Sequence, residues 1–154
     1  MIREARPDEA EALAAIQRDA SVAAYQHIFP AELYPYPTEA VVERWQESLD
    51  DREVTVLVAE EDGVAVAVAG SRAEWLDGLY VLPDRWSRGV GRALHDEVLE
   101  RQRAAGAKAC HLWVLEQNDR ARRWYERLGW RENGRTRVVP FPPNPIDVGY
   151  SIPL

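Results

Sequence analysis

Two apolar, valine-rich runs enclose a short polar turn in "VTVLVAEEDGVAVAVAG", residues 54–70. Runs rich in β-branched residues favour strands, and an Asp-Gly pair between them is typical of a β-hairpin. The next run, "EWLDGLYVL", has the same character and is stopped by Pro83. The chain is therefore committed to three consecutive strands near its middle, and its other elements must fold around them.

Helical patterns lie on both sides of these strands. Before them, "IREA" predicts a short strand, Pro7 and Asp8 open a first helix, and a second helix starts at Thr38, whose hydroxyl can cap it. After them come a helix from about Val90 to Ala105, the strand "ACHLWVL", the helix "NDRARRWYERLG", and the strands "RTRVVPF" and "IDVGYSI". The predicted order βααβββαβαββ indicates an α+β fold, a mixed central sheet flanked by helices. No linker interrupts it, so we expect one domain over residues 1–154.

Composition narrows the class of function. The net charge of −7 argues against nucleic acid as a partner, because phosphate contacts need clustered Lys and Arg. No apolar run approaches the roughly 18 residues of a membrane span, and the first residues lack the apolar core of a signal peptide. The single cysteine, Cys110, excludes an internal disulfide, and three scattered histidines indicate no metal site. We expect a cytoplasmic protein.

The stretch "VLPDRWSRGVGRAL", residues 81–94, places Gly89 and Gly91 between a strand and a helix. The first N–H groups of a helix have no intrahelical acceptor, and glycines let an anion approach them. Arg88 and Arg92 flank the turn and can neutralise phosphate. Other nucleotide motifs fit poorly, since a Gly-x-Gly-x-x-Gly pattern would need glycine at Leu94. Taken alone, the stretch is equally consistent with a turn that binds nothing.

A second stretch, "NDRARRWYERLGW", residues 118–130, adds a matching wall. Asn118, Ala121 and Tyr125 are three and then four residues apart, so they share one helix face. Such a stripe can lie along the flank of a ligand. The alternative is that Tyr125 is a half-buried core residue with a hydrated hydroxyl.

Together the two stretches resemble the GNAT superfamily of N-acetyltransferases. Its pattern is a strand ending near a proline and then Arg/Gln-x-x-Gly-x-Gly/Ala opening a helix. A second strand and Asn-x-x-Ala-x-x-Phe/Leu-Tyr-x-x-x-Gly-Phe follow. "LYVLPDRWSRGVGRAL" and "LWVLEQNDRARRWYERLGW" match these parts, and the element order agrees over almost the whole chain. Trp86 stands where the family has Arg or Gln, with Arg85 and Arg88 nearby to keep the positive charge.

The resemblance implies a GNAT-like acyl-CoA N-acyltransferase fold with acetyl-CoA as co-substrate and no metal. Backbone amides of one loop would hold the coenzyme A pyrophosphate, and a strand would pair with the pantetheine arm. A helix would contact the pantetheine and the sulfur. The residues concerned are, in that order, Arg88, Gly89, Val90, Gly91, Arg92 and Ala93; Leu79, Tyr80 and Val81; and Asn118, Ala121 and Tyr125.

Three side chains are candidates for proton transfer in the reaction. A tyrosine hydroxyl can protonate the departing thiolate, and Tyr125 is the candidate general acid. The resemblance places a base on the strand that binds the thioester, which carries Glu74 and Asp77. These two residues are three apart, so in a regular strand they face opposite sides and at most one reaches the pocket. Solvent-facing carboxylates, with water taking the proton, are the alternative.

The acceptor side carries no motif. Aromatic and histidine side chains offer candidate walls, each of which is equally explained by ordinary core burial. An arginine run in the second stretch is interpreted as a solvated face. The wall candidates are Tyr25, His27, Trp75, His111 and Trp113, and the run is Arg120, Arg122 and Arg123.

The sequence thus predicts an acetyl-CoA-dependent N-acyltransferase that modifies a primary amine of a small molecule or peptide. Its partners would be acetyl-CoA and the acceptor, with no nucleic acid and no membrane. The oligomeric state is left open, although dimers are common in folds of this resemblance. The rival interpretation is a non-catalytic acyl-CoA-binding sensor or interaction module.

Overall fold

The computed structural model describes residues 1–154 as one seven-stranded sheet with four α-helices. The strands are β1 (Ile2–Glu4), β2 (Thr55–Glu61), β3 (Val64–Arg72), β4 (Trp75–Val81), β5 (Ala109–Leu115), β6 (Arg131–Val138) and β7 (Ile146–Pro153). The helices are α1 (Ala10–Tyr25), α2 (Thr38–Asp50), α3 (Val90–Ala104) and α4 (Asp119–Arg127). The predicted α+β class and the order βααβββαβαββ are confirmed.

The sheet has the strand order β1-β2-β3-β4-β5-β7-β6. All neighbouring strands are antiparallel except β4 and β5, which run parallel. These two strands pair at a single position, where Trp75 lies opposite His111. Beyond that pair they diverge, so the sheet opens into a wedge toward their carboxyl ends.

Helices cover the two faces of the sheet with separate cores. On one face, α3 and α4 contribute Leu94, Val98 and Tyr125 to a cluster with the strand residues. On the other face, α1 and α2 supply a second cluster that includes Leu13 and Trp45. Each fully buried leucine or valine contributes about 2 kcal/mol through removal of apolar surface from water. The sheet is thereby rigid on both sides of the wedge.

One predicted helix start and one predicted cap are wrong. Pro7 and Asp8 form a turn, and α1 begins at Ala10 because the Glu9 carboxylate accepts the Arg6 N–H at 2.6 Å and holds the turn. The predicted start of α2 at Thr38 is confirmed, but the Thr38 hydroxyl makes no capping bond.

The boundaries of β6 also differ from the prediction. The strand starts at Arg131, four residues before "RTRVVPF", and ends at Val138, short of Pro140. Its register against β7 is interrupted between Glu132 and Thr136, around Gly134 at φ +83°. That interruption masks the strand pattern in the sequence.

None of the four helices has both the length and the apolar character needed to cross a bilayer.

Candidate active site

A cavity of about 470 Å³ occupies the wedge between β4 and α4. β4 lines it with Leu79, Tyr80 and Val81, and α1 contributes Tyr25. The loop after β4 and the first turn of α3 close one end. The cavity exists because β5 leaves β4 after one pair and α4 fills only part of the gap.

The edge of β4 that faces the wedge has free backbone groups. Leu82 donates its N–H to the Val66 carbonyl on β3 at 3.0 Å. Because successive residues of a strand point their backbone groups to alternate sides, Leu79 and Val81 present theirs to the wedge. No strand pairs with them there. The Val81 carbonyl accepts the Trp86 indole N–H at 2.7 Å, which leaves both N–H groups and the Leu79 carbonyl free.

The glycine turn forms the start of α3. Gly89 is its N-cap residue with φ +84°, and no side chain caps the helix, so the first N–H groups have no acceptor. A Cβ at Gly91 would lie 3.2 Å from Val81 Cγ2, so this glycine lets the helix start approach β4 closely. Ser87 also has a left-handed backbone, with φ +62°. At Gly89 and Gly91 the turn therefore presents backbone to the cavity.

Not every predicted residue of the turn reaches the cavity. Gly89, Gly91 and Arg92 line it, whereas Arg88, Val90 and Ala93 do not. The Ala93 N–H is bonded to the Gly89 carbonyl at 3.0 Å and belongs to the helix. The amides left for a ligand are those of the first turn before Ala93.

α4 forms the opposite wall with the predicted stripe. Asn118, Ala121 and Tyr125 all line the cavity. Asn118 is also the N-cap, since its Oδ1 accepts the Ala121 N–H at 3.2 Å. Tyr125 is 9% exposed, and its hydroxyl has no hydrogen-bond partner in the chain and is not sealed from solvent. Burial raises the pKa of Tyr125 above its usual range, so the hydroxyl stays protonated.

Four arginines line the cavity, two of them paired with a carboxylate and two without such a partner. Arg85 is held by Glu61 at 2.6 Å, and Arg92 is paired with Asp96 at 3.0 Å. Arg120 and Arg127 line the cavity without a carboxylate partner.

Arg120 is placed by an aromatic ring. Its guanidinium carbon lies 3.9 Å from the Trp86 ring centroid, a cation–π contact. Loss of hydration, and secondarily Arg127, lowers the pKa of Arg120. Arg120 is exposed, as the interpretation of the arginine run as a solvated face requires, but it also lines the cavity. That interpretation is wrong for Arg122, which donates to the Tyr150 hydroxyl at 3.0 Å and to the Glu116 carbonyl at 2.8 Å.

The two candidate bases lie outside the cavity lining. Asp77 is the extra residue of a β-bulge, because Gly70 pairs with Gly78 while Ser71 pairs with Leu76. Glu74 lies in the turn before β4, and the bulge breaks the alternation of the strand, so a spacing of three does not set the faces of Glu74 and Asp77. Partial desolvation raises the pKa of Asp77, against the opposing effect of its bond to Arg72.

The residues predicted to form the acceptor wall do not all lie in one place. Tyr25 lines the cavity, while His27 binds the Gln117 carbonyl at 2.8 Å and ties the α1–α2 loop to the start of α4. Trp75 and Trp113 stack with centroids 6.3 Å apart, outside the cavity lining. His111 contacts Trp75 and bonds to the Ser151 hydroxyl at 2.7 Å.

A family comparison agrees with this geometry. The model of the acetyltransferase (GNAT) family matches residues 19–130, which include both walls of the cavity. The chain belongs to the GNAT acetyltransferase family. The predicted GNAT fold is thereby confirmed.

Relatives of this GNAT chain are named N-acetyltransferases. An uncharacterized N-acetyltransferase of Archaeoglobus fulgidus is 35% identical over 81 residues, 46% of this chain and 55% of that protein. One from Mycobacterium tuberculosis is 34% identical over 96 residues, 59% of this chain and 62% of that protein. The aligned parts thus span little more than half the length of either relative.

Solved GNAT structures share the fold along the whole chain. A GCN5-related N-acetyltransferase from Rhodopseudomonas palustris superposes with a TM-score of 0.81 at 21% identity, covering 100% of this chain and 95% of that one. The PaiA N-acetyltransferase of Thermoplasma acidophilum, solved with coenzyme A, gives 0.72 at 19% identity and covers 97% and 96%.

Sequence reasoning missed several cavity residues of this GNAT domain, among them Arg120, Trp124 and Arg127 on α4. The signal was present, since Arg120, Trp124 and Arg127 are spaced at i, i+4 and i+7 and form one stripe on α4. All three line the cavity. The stripe lies next to the predicted one and widens the same wall.

Proposed function

We propose that this chain transfers the acetyl group of acetyl-CoA to a primary amine of a small molecule or peptide. One observation carries the proposal. A single cavity joins a free strand edge, an uncapped helix N-terminus flanked by unpaired arginines, and a protonated tyrosine hydroxyl without a partner. These three features match the groups of a ligand that has a thioester, a long arm with amides and a diphosphate.

The phosphate end of coenzyme A fits the start of α3. The first-turn N–H groups converge there, and the helix dipole adds partial positive charge. Arg120 and Arg127 have no internal carboxylate to satisfy, so their charge is available to phosphate oxygens. The coenzyme A bound in the Thermoplasma neighbour supports this ligand class.

The pantetheine arm fits the free edge of β4. Its amides would pair with the Leu79 carbonyl and N–H as an added strand does. The Val81 N–H would then point at the thioester carbonyl and stabilise negative charge that develops on its oxygen. The Val81 carbonyl is not needed, because Trp86 already donates to it.

In the reaction, the amine lone pair attacks the thioester carbonyl carbon and a tetrahedral oxyanion forms. The carbon–sulfur bond then breaks, and sulfur leaves with the electron pair. Tyr125 donates its phenolic proton to that thiolate and regains one from water. The products are the N-acetyl amine and coenzyme A.

The proton of the attacking amine needs a separate acceptor. Alkylamines have a pKa of roughly 10 and enter mostly as ammonium ions near neutral pH. We assign that proton to water, assisted by a carboxylate of β4. Of the two candidates Asp77 is the better placed, since its charge contributes to the raised pKa of the cavity residue Tyr80. Glu74 lies nearer to His111, at 3.7 Å from its Nε2.

The test is in two steps and separates the proposal from its rival. Calorimetric titration with coenzyme A is expected to give saturable 1:1 binding. Thiol release from acetyl-CoA is then followed with a panel of primary amines, and N-acetyl products are identified by mass. Binding without amine-dependent release would support the acyl-CoA sensor, and absence of binding would contradict both functions. Glu100→Gln, on the exposed side of α3, is the control variant.

The proposed reaction takes place in the cytoplasm and needs neither a metal nor a nucleic acid. Attack on a thioester requires no Lewis acid when backbone N–H groups already stabilise the oxyanion. Asp77→Asn and Glu74→Gln test the assisting carboxylate. A fall in turnover for Asp77→Asn alone is the expected result.

A further inference from the structure

Asp147 lies at the level of the cavity although it is distant in sequence from both motifs. Because β4 and β5 run parallel from the Trp75–His111 pair and β4 holds one extra residue at Asp77, Leu115 is level with the Leu79–Tyr80 part of β4. Asp147 on β7 pairs with Leu115. Its height in the sheet is therefore that of the β4 segment that lines the cavity.

The Asp147 carboxylate has a free oxygen. Its side chain is only 10% exposed, and one oxygen accepts the Arg137 Nε–H at 2.9 Å. The other oxygen has no donor in the chain and is not sealed inside the protein. A buried carboxylate oxygen is costly unless it receives a hydrogen bond. The free oxygen is thus available to a donor that enters from outside.

Asp147 does not itself line the cavity, but its charge acts on two tyrosines that do. Burial raises the pKa values of Tyr25 and Tyr80, and the negative charge of Asp147 raises them further. Asp147 therefore acts on the side of the site where Tyr25 and Tyr80 lie.

The contacts of Arg137 show that the surroundings of Asp147 accept a cation. The Arg137 guanidinium pairs with Asp147 and lies 4.5 Å from the Trp113 ring centroid. A cation is thus held between a carboxylate and an aromatic face, the usual pairing for cation recognition. Arg137 donates to one oxygen of the carboxylate, and the other oxygen receives no hydrogen bond from the chain.

We propose that Asp147 binds a second cationic group of the acceptor, so that the acceptor is a diamine or a longer polyamine. One amine reacts near Tyr125, and the cation at the other end donates to the free oxygen of Asp147. This inference rests on the acetyltransferase function proposed above. It also makes Arg137 a competitor, because its charge partly neutralises the carboxylate that the acceptor uses.

Three probes of equal chain length test the proposal: 1,4-diaminobutane, 1-aminopentane and 4-aminobutanoate, which end in a cation, a methyl group and an anion. The wild type is expected to acetylate the diamine with a kcat/KM about tenfold or more above that of the monoamine, the value of one charge-assisted hydrogen bond. The anionic probe is expected to be the poorest of the three.

Asp147→Asn is expected to reduce the preference for the diamine over the monoamine to about twofold or less, through KM, with the affinity for coenzyme A unchanged. Arg137→Met keeps the aliphatic cover of Trp113 but removes the competing charge. It is expected to raise the preference above that of the wild type. If the Asp147–Arg137 pair had only a structural role, both substitutions would lower the melting temperature and leave the preference for the diamine unchanged.

The outcomes separate the two proposals. A wild type that binds coenzyme A but acetylates no amine contradicts the enzyme itself. A wild type that acetylates amines but does not prefer the diamine overturns the role of Asp147 alone. So does an Asp147→Asn variant that keeps the preference. If that variant does not fold, Arg137→Met decides, and an unchanged or lower preference overturns the proposal.

Discussion

The Trp86 indole nitrogen donates a 2.7 Å hydrogen bond to the Val81 carbonyl, which ties the loop between β4 and α3 to the edge of β4. Trp86→Phe keeps the ring for Arg120 but removes the donor. Because a partly buried carbonyl then loses its partner, the free energy of unfolding is expected to fall by about 1 kcal/mol. Urea denaturation measures it, and an unchanged midpoint and slope would show that the bond does not stabilise the loop.

Tyr125→Phe tests the general acid. The substitution keeps the ring that packs against Trp124 and Trp130 and removes only the hydroxyl. Turnover is expected to fall by about 10²-fold or more, while the dissociation constant of coenzyme A changes less than about twofold. Steady-state kinetics and calorimetry measure the two quantities. Equal turnover in the variant would exclude the hydroxyl from the reaction.

Arg120→Gln and Arg127→Gln test the charges at the cavity mouth. Each arginine lacks an internal carboxylate, so its loss is expected to weaken coenzyme A binding by about 1 kcal/mol, roughly fivefold in Kd. The dependence of Kd on salt is expected to become shallower, because fewer charges are screened. Arg123→Gln, on the same helix but outside the cavity, is the matched control. If it weakened binding equally, the effect would be one of net charge rather than of position.

The Arg3–Glu9 ion pair gives the fold an acid-sensitive contact. The hydrogen bond from Arg3 lowers the pKa of Glu9 from 4.5 to about 2, although burial opposes it. A carboxylate with a lowered pKa stabilises the folded state above its unfolded value of 4.5, and this contribution is lost as the pH falls toward 2.

Glu9→Gln is therefore expected to cost about 3 kcal/mol at neutral pH and progressively less below pH 4.5. Chemical denaturation at pH 7 and pH 3 measures the difference. A cost that does not change with pH would assign the effect to the lost bond with the Arg6 N–H instead of to the charge.

Local patterns made much of the fold and the cavity predictable. Gly89 and Gly91 lie where a strand ends and a helix begins, and Asn118, Ala121 and Tyr125 share a helix face by spacing alone. Such features depend on neighbours within about one or two helical turns, which a sequence displays directly.

The remaining parts of the site depend on contacts between distant segments. Asp147 reaches the level of the cavity only through the pairing of β7 with β5, and no local pattern encodes that register. The faces of Glu74 and Asp77 were not predictable because a bulge on β4 breaks its alternation. Trp86 departs from the family pattern, and only its three-dimensional position relates it to Val81 and Arg120.

The proposed function is transfer of an acetyl group from acetyl-CoA to an amine in the cavity. The most direct measurement follows acetyl-CoA labelled with ¹³C in its acetyl carbonyl, by NMR, in the presence of a primary amine. The label is expected to move to an amide carbonyl in the wild type and to do so far more slowly in Tyr125→Phe. Label that stays on coenzyme A with every amine, or that appears only as free acetate, would contradict it.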